Sequence, residues 1–248
     1  MMAVAEYLAQ KLNITTRYIN DIDWPERYAQ LDASQIDIGW ICSAPYVRRV
    51  DQHELKLELL AAPVMAAPRY QNSPIYFSDV VVRSDSSFYK FDDLRGAAWA
   101  YNEPDSHSGY HVVRWYLAQR NLDGRFFGKV VQSGGHANSL NLILNSEVDA
   151  SAIDATVLDL RLEREPQLRH QIRVIESLGP SPIPPYVVGK HVPVALRQAL
   201  RQALTHMHAH EQGRAILQQG QVARFAAVTD ADYDRTREML KQAGAVTL

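Results

Sequence analysis

Apolar residues recur along this chain with two periods, and the switching between them predicts an α/β protein. Val4, Tyr7, Leu8 and Leu12 fall on one helical face, so the chain opens with an amphipathic helix. Residues 15–19 read as a short strand. Residues 24–31 read as a helix with Asp23 as its cap and Pro25 in its first turn. Residues 36–40 read as a strand entering a turn at Ser43-Ala44-Pro45. Residues 55–62 and 76–82 are further strands, the second rich in β-branched side chains.

From Asp93-Leu94-Arg95-Gly96 onward the alternation is regular. Strands are expected at residues 97–101, 129–132 and 148–153. A polar turn at 102–109 and a tight turn at 133–136 lead into helices at 110–119 and 137–145, and a helix at 157–163 follows the third strand. Three such units in succession predict parallel pairing with right-handed crossovers. A last strand near 172–175 precedes the proline-rich segment 179–185. A strand at 186–189 and a helical tail over 194–243 complete the expected series.

Composition narrows the function classes. The chain has 248 residues, 46% hydrophobic and 22% charged, with a formal net charge of -2. That is a globular composition without the basic excess that nucleic-acid binding requires. The densest basic stretch, residues 161–173, alternates Arg with Glu, Leu and His, as a solvated helix face does. Cys42 is the single cysteine, so no intrachain disulfide and no paired-cysteine zinc site is expected. His206, His208 and His210 splay around a predicted helix instead of sharing a face, so no metal site is expected there. No apolar run approaches the roughly 20 residues of a membrane span. There is no basic segment followed by an apolar run at the start, no Walker loop and no dinucleotide fingerprint. No cofactor is expected.

The residues that can carry chemistry lie in the turns. Between Trp99 and Tyr110 a strand runs into a turn bearing Ser106 and Ser108, and a helix starts at once. Its first N–H groups lack internal partners and carry the positive end of the helix dipole, which suits a phosphate-like anion without any Lys or Arg. The alternative is that Asp105, Ser106 or Ser108 only caps the helix. The segment from Val130 to Ser139 repeats the design, with Gly134 and Gly135 allowing close approach and His136 able to donate a ring N–H. It can equally be an ordinary tight turn. Two such turns in consecutive parallel units open at one sheet edge, where ligands bind in such folds. Ser106, His136 and Asp154 could be written as a hydrolytic triad, but no Gly-x-Ser-x-Gly elbow accompanies them.

This succession resembles the phosphate/phosphite/phosphonate-binding subunits of ABC transporters, within the type II periplasmic binding protein fold. The resemblance rests on Glu103-Pro104-Asp105-Ser106-His107-Ser108-Gly109-Tyr110, on Gly134-Gly135-His136-Ala137-Asn138-Ser139, on the strand Glu147 to Asp154, and on Asp93 to Gly96. It implies two α/β lobes joined by a two-crossing hinge, with the ligand cleft between them. Residues 1–82 plus 179–248 would form lobe 1, and 83–178 lobe 2. It implies a non-enzymatic solute-binding protein, located in the periplasm or lipid-anchored outside the inner membrane. As a monomer it would pass a small oxyanion ligand to a membrane permease. The implied ligand contacts are Tyr76, Ser106, His107, Ser108 and His136. His107 stands where Thr or Gln is usual. Asp154 is the acidic candidate in the cleft or the cap of the following helix, and Ser43 and Tyr46 are the first-lobe candidates. Family members carry a strand before the opening helix, which is expected to be missing here and to leave a neighbouring strand unpaired. The rival implications are a cofactor-biosynthesis enzyme using His136 and Asp154, and a ligand-sensing domain of a signalling system.

Overall fold

A computed structural model describes residues 2–52 and 56–248. Leu55, expected to open the second strand, lies outside the described residues. In chain order the helices are α1 (Met2–Leu12), α2 (Trp24–Asp32), α3 (Ser43–Asp51), α4 (Val112–Gln119), α5 (His136–Leu144), α6 (Ala155–Arg164), α7 (Val194–Thr205), α8 (Glu211–Gln219) and α9 (Asp234–Ala243). The strands are β1 (Ile38–Trp40), β2 (Leu57–Met65), β3 (Ile75–Arg83), β4 (Ala98–Tyr101), β5 (Lys129–Gln132), β6 (Ala150–Asp154), β7 (Ile172–Pro182), β8 (Tyr186–Gly189) and β9 (Val222–Ala226). The chain divides into one unit of Met1–Ile75 with Ile183–Tyr233 and a second of Tyr76–Pro182 with Asp234–Leu248.

The first unit is built on a four-stranded sheet in the order β1-β8-β2-β9, with antiparallel pairing throughout. Helix α2 starts as its sequence dictates, with Asp23 accepting from the Glu26 N–H at 2.9 Å and Pro25 in the first turn. Val4, Tyr7 and Leu8 of α1 pack with Leu60 and with Leu200 and Leu204 of α7 into the core. Three expectations are corrected here. Residues 15–19 form no strand, because no neighbouring edge gives them a ladder. The expected turn at Ser43-Ala44-Pro45 is the first turn of α3, a position where proline costs no hydrogen bond. The expected helical tail is broken by β9, which pairs with β2 at Ala62–Ala226, Pro63–Phe225 and Val64–Arg224. Phe225 is the one buried residue of that strand, so no clear alternation marks it.

The second unit carries a five-stranded sheet, β5-β4-β6-β3-β7. Strand β4 runs parallel to both β5 and β6, as the repeated strand–turn–helix units predict, and β3 runs antiparallel to β6. Trp99 stacks on Phe127 at 4.5 Å and Phe91 on Phe126 at 5.4 Å in the core. The proline-rich segment does not end β7, which continues to Pro182. An edge strand has an unpaired side, so it tolerates residues without an N–H. The expected domain limits are corrected at the C-terminus. Helix α9 joins the second unit, burying Thr236, Met239 and Ala243, with Met239 in the same cluster as Val112 and Leu117 of α4. The chain therefore changes unit three times, after residues 75, 182 and 233, and not twice.

Candidate functional site

Parallel pairing places the turns after β4, β5 and β6 at one edge of the second sheet. Main-chain bonds tie the first two turns together. The Ser133 N–H donates to Tyr101 O and the Gly134 N–H to Asn102 O, both at 2.8 Å. Gly134 has φ +80, a left-handed conformation that favours glycine. The helix expected at 110–119 begins earlier, as a π-helical turn from His107 to His111 that continues into α4. π-turns inside helices recur at functional sites. Ser106 caps this turn, its Oγ accepting from the Gly109 N–H at 3.1 Å. The capping alternative is thus realised for Ser106, and its own O–H remains a donor. Gly109 is required by contact: a Cβ there would lie 1.9 Å from Asn102 Oδ1.

Ser106, His107 and Ser108 are all buried. The Ser108 Oγ and the His136 Nε2 lie 2.9 Å apart, so the two turns meet through side chains as well. Burial pushes His136 down to about 4, and the ring is neutral at pH 7 with one hydrogen to give. His136 Nδ1 is buried and makes no hydrogen bond in the protein. If Ser108 donates to Nε2, the imidazole hydrogen sits on Nδ1 and is unspent. If Nε2 donates to Ser108, the hydroxyl hydrogen is unspent. Either way the pair keeps one donor in reserve.

His107 is fully buried, and burial pushes it down to about 3, so it too is neutral. Its Nε2 meets Ser181 Oγ at 2.9 Å and its ring lies 6.4 Å from that of Tyr76, at the start of β3. Asp154 ends β6 and caps α6, accepting from both the N–H and the hydroxyl of Thr156 at 2.8 and 2.7 Å. Burial pushes its carboxyl up to about 6. The bonds from Thr156 oppose that push, and Asp79 adds a smaller one in the same direction. The written triad is not what assembles: His136 pairs with Ser108, Ser106 takes the Gly109 N–H, and Asp154 takes Thr156.

Ser43 and Tyr46 belong to the first unit. Ser43 opens α3 with its Oγ buried and without a hydrogen-bond partner. Tyr46 donates to Asp230 Oδ1 at 3.0 Å, and its ring packs 4.9 Å from that of Tyr233. Sequence reasoning missed Asn102 and Ser181. Ser181 lies 74 residues from His107, and no local pattern joins them. Asn102 could have been suspected as the residue on which strand β4 enters the serine turn.

Residues 1–233 match the family profile described as "ABC transporter, phosphonate, periplasmic substrate-binding protein". The phosphonates-binding periplasmic protein of Escherichia coli (strain K12) is 23% identical over 211 residues, covering 83% of this chain and 60% of its own length. The chain therefore spans about 60% of that relative. A binding protein component of an ABC phosphonate transporter from Pseudomonas aeruginosa superposes with a TM-score of 0.84 at 20% identity, covering 96% of this chain and 78% of that one. PhnD1 from Prochlorococcus marinus (MIT 9301), solved in complex with methylphosphonate, superposes with a TM-score of 0.85 at 15% identity, covering 99% and 92%.

Proposed function

Because this chain belongs to the phosphonate family of ABC-transporter periplasmic substrate-binding proteins, with the type II periplasmic binding protein fold, we propose that it binds a small phosphonate-like oxyanion without turning it over. The ligand oxygens are met by the hydroxyls of Ser106 and Ser108, by first-turn N–H groups, and by His136, with Tyr76 and His107 shaping the wall beside them. The observation that carries this reading is the Ser108–His136 pair, in which Ser108 and the His136 Nδ1 are buried and which keeps one hydrogen that no protein acceptor uses. A buried donor without an acceptor is costly, and an oxyanion relieves that cost. Neutral donors make charge-assisted bonds to the anion without burying a cation.

Non-enzymatic transport is favoured over the rival enzyme reading by the separate engagement of His136 and Asp154. Location in the periplasm and delivery to a permease follow the family description. No helix among the described residues is long and apolar enough to cross a membrane, so a separate membrane component fits that role. Asp154 spends one oxygen on Thr156, which makes it a cap first and a poor partner for a ligand ammonium. The ligand is therefore an unaminated oxyanion.

A thermal-shift series with methylphosphonate, phosphite, phosphate, methanesulfonate and acetate tests the assignment. A ligand at 100 times its Kd adds about 2.7 kcal/mol of stability. A rise with the phosphorus oxyanions and none with acetate is expected. No shift with any of the five, at millimolar concentration, would overturn the reading.

A further inference from the structure

His107 stands between the two serines of the oxyanion turn, and a short relay of side chains holds its ring. His107 Nε2 lies 2.9 Å from Ser181 Oγ, and Ser181 Oγ lies 3.5 Å from Met239 Sδ. All three residues are buried, and all belong to the second unit. A thioether sulfur has no hydrogen to give, so Ser181 is the donor in its contact with Met239. A serine hydroxyl carries one hydrogen. With that hydrogen on the sulfur side, the Ser181 oxygen can only accept from His107. The hydrogen of the neutral imidazole therefore sits on Nε2, and Nδ1 carries none.

A hydroxyl buried in a strand costs desolvation unless its hydrogen bonds are made, and in this arrangement Ser181 both donates and accepts. We propose that Ser181 is a positioning residue for the oxyanion turn. It holds His107 as the Nε2–H tautomer and so steadies the π-helical turn that presents Ser106 and Ser108, while Met239 of α9 sets the direction of the relay. This rests on those serines being ligand contacts. Helix α9 grips the same turn from a second side. Met239 packs with Val112 and Leu117 of α4, the helix that continues the turn, and the Trp115 Nε1–H donates to Gln242 Oε1 at 2.7 Å. The two histidines of the site thus have different tasks. The His107 ring hydrogen is committed to Ser181, so His107 is a prop, whereas the Ser108–His136 pair still has a hydrogen to offer an anion.

Histidine-15N-labelled protein, free of ligand, tests the relay. Long-range proton–nitrogen correlation shows which ring nitrogen carries the hydrogen, and His107→Gln assigns the signal by its loss. His107 is expected with its hydrogen on Nε2 at pH 7, and a hydrogen on Nδ1 overturns the proposal. Met239→Leu keeps the core volume and removes the sulfur. Ser181 then turns its hydrogen to Nε2, and the ring hydrogen should move to Nδ1. A tautomer unmoved by that substitution also overturns the proposal. Ser181→Ala removes the acceptor of the Nε2–H and should weaken methylphosphonate binding about tenfold in calorimetry. Because it acts through the turn, its effect and that of Ser108→Ala should combine to less than their sum. Unchanged affinity, or strictly additive losses, would leave Ser181 a structural residue only and sink the proposal. If the unsubstituted protein binds no methylphosphonate, the oxyanion reading fails, and the tautomer of the ligand-free protein still decides the relay.

Discussion

The hydroxyl of Ser108 and the Nε2 of His136, 28 residues apart, meet at 2.9 Å and join the turns that follow two parallel strands. Their roles can be separated from that of Ser106, whose oxygen holds the Gly109 N–H. Ser108→Ala should weaken oxyanion binding by about 1.5–3 kcal/mol, the range for hydrogen bonds to charged groups, with a small change in Tm. Ser106→Ala should weaken binding similarly and also cost about 1 kcal/mol of stability as a lost cap. Calorimetric titration with methylphosphonate and a denaturant melt measure the two effects. Normal binding by both variants would leave these serines with structural roles only.

Gly109 and Asn102 are in such close contact that a methyl group has nowhere to go. Gly109→Ala should cost about 1–3 kcal/mol by overpacking and distort the turn that carries Ser108. Gly135→Ala is the control, since a Cβ there meets nothing within 4 Å. Urea unfolding midpoints should separate the two clearly.

Acid should destabilise the protein before its ordinary carboxylates titrate. The folded values of His107 and His136 are pushed below the unfolded value of 6.5, to about 3 and about 4. Their stabilisation is complete above pH 6.5 and is lost as pH falls toward those folded values. Each costs about 1.4 kcal/mol per pH unit in that window. Asp154 works the other way. Its folded value is raised to about 6, so protonation between pH 6 and 3.8 favours the folded state and offsets one of the two histidines. A Tm profile from pH 7 to 4 should fall, and it should fall less steeply in His107→Gln. An acid slope identical in that variant would contradict a buried neutral His107.

Ligand choice should follow the engagement of Asp154 with Thr156. Methylphosphonate should bind more tightly than aminomethylphosphonate, because the Asp154 carboxyl that would meet an ammonium is already engaged as the cap of α6. Asp154→Asn keeps an acceptor for the cap and should leave methylphosphonate affinity nearly unchanged. Calorimetry on the matched pair decides it, and tighter binding of the aminated compound would place Asp154 against the ligand.

The order of elements in the second unit was readable from the residues alone. Short strand-like runs at β4, β5 and β6, each followed by a turn and helical spacing, are local signals, and parallel pairing follows from their succession. The serine turn, the glycine turn and His136 were marked by the same local logic. Pairing and burial were not. Residues 15–19 have strand composition but gain no ladder, and β9 has a ladder without a clear pattern. The unit to which α9 belongs was settled by where Met239 finds a core. The Ser108–His136 and His107–Ser181 bonds join positions 28 and 74 residues apart. The neutrality of both histidines and the raised carboxyl of Asp154 come from desolvation by the surrounding chain. Backbone periodicity is a property of neighbours in sequence, whereas pairing partners, burial and charge state are set by residues distant in sequence, and only the folded chain brings those together.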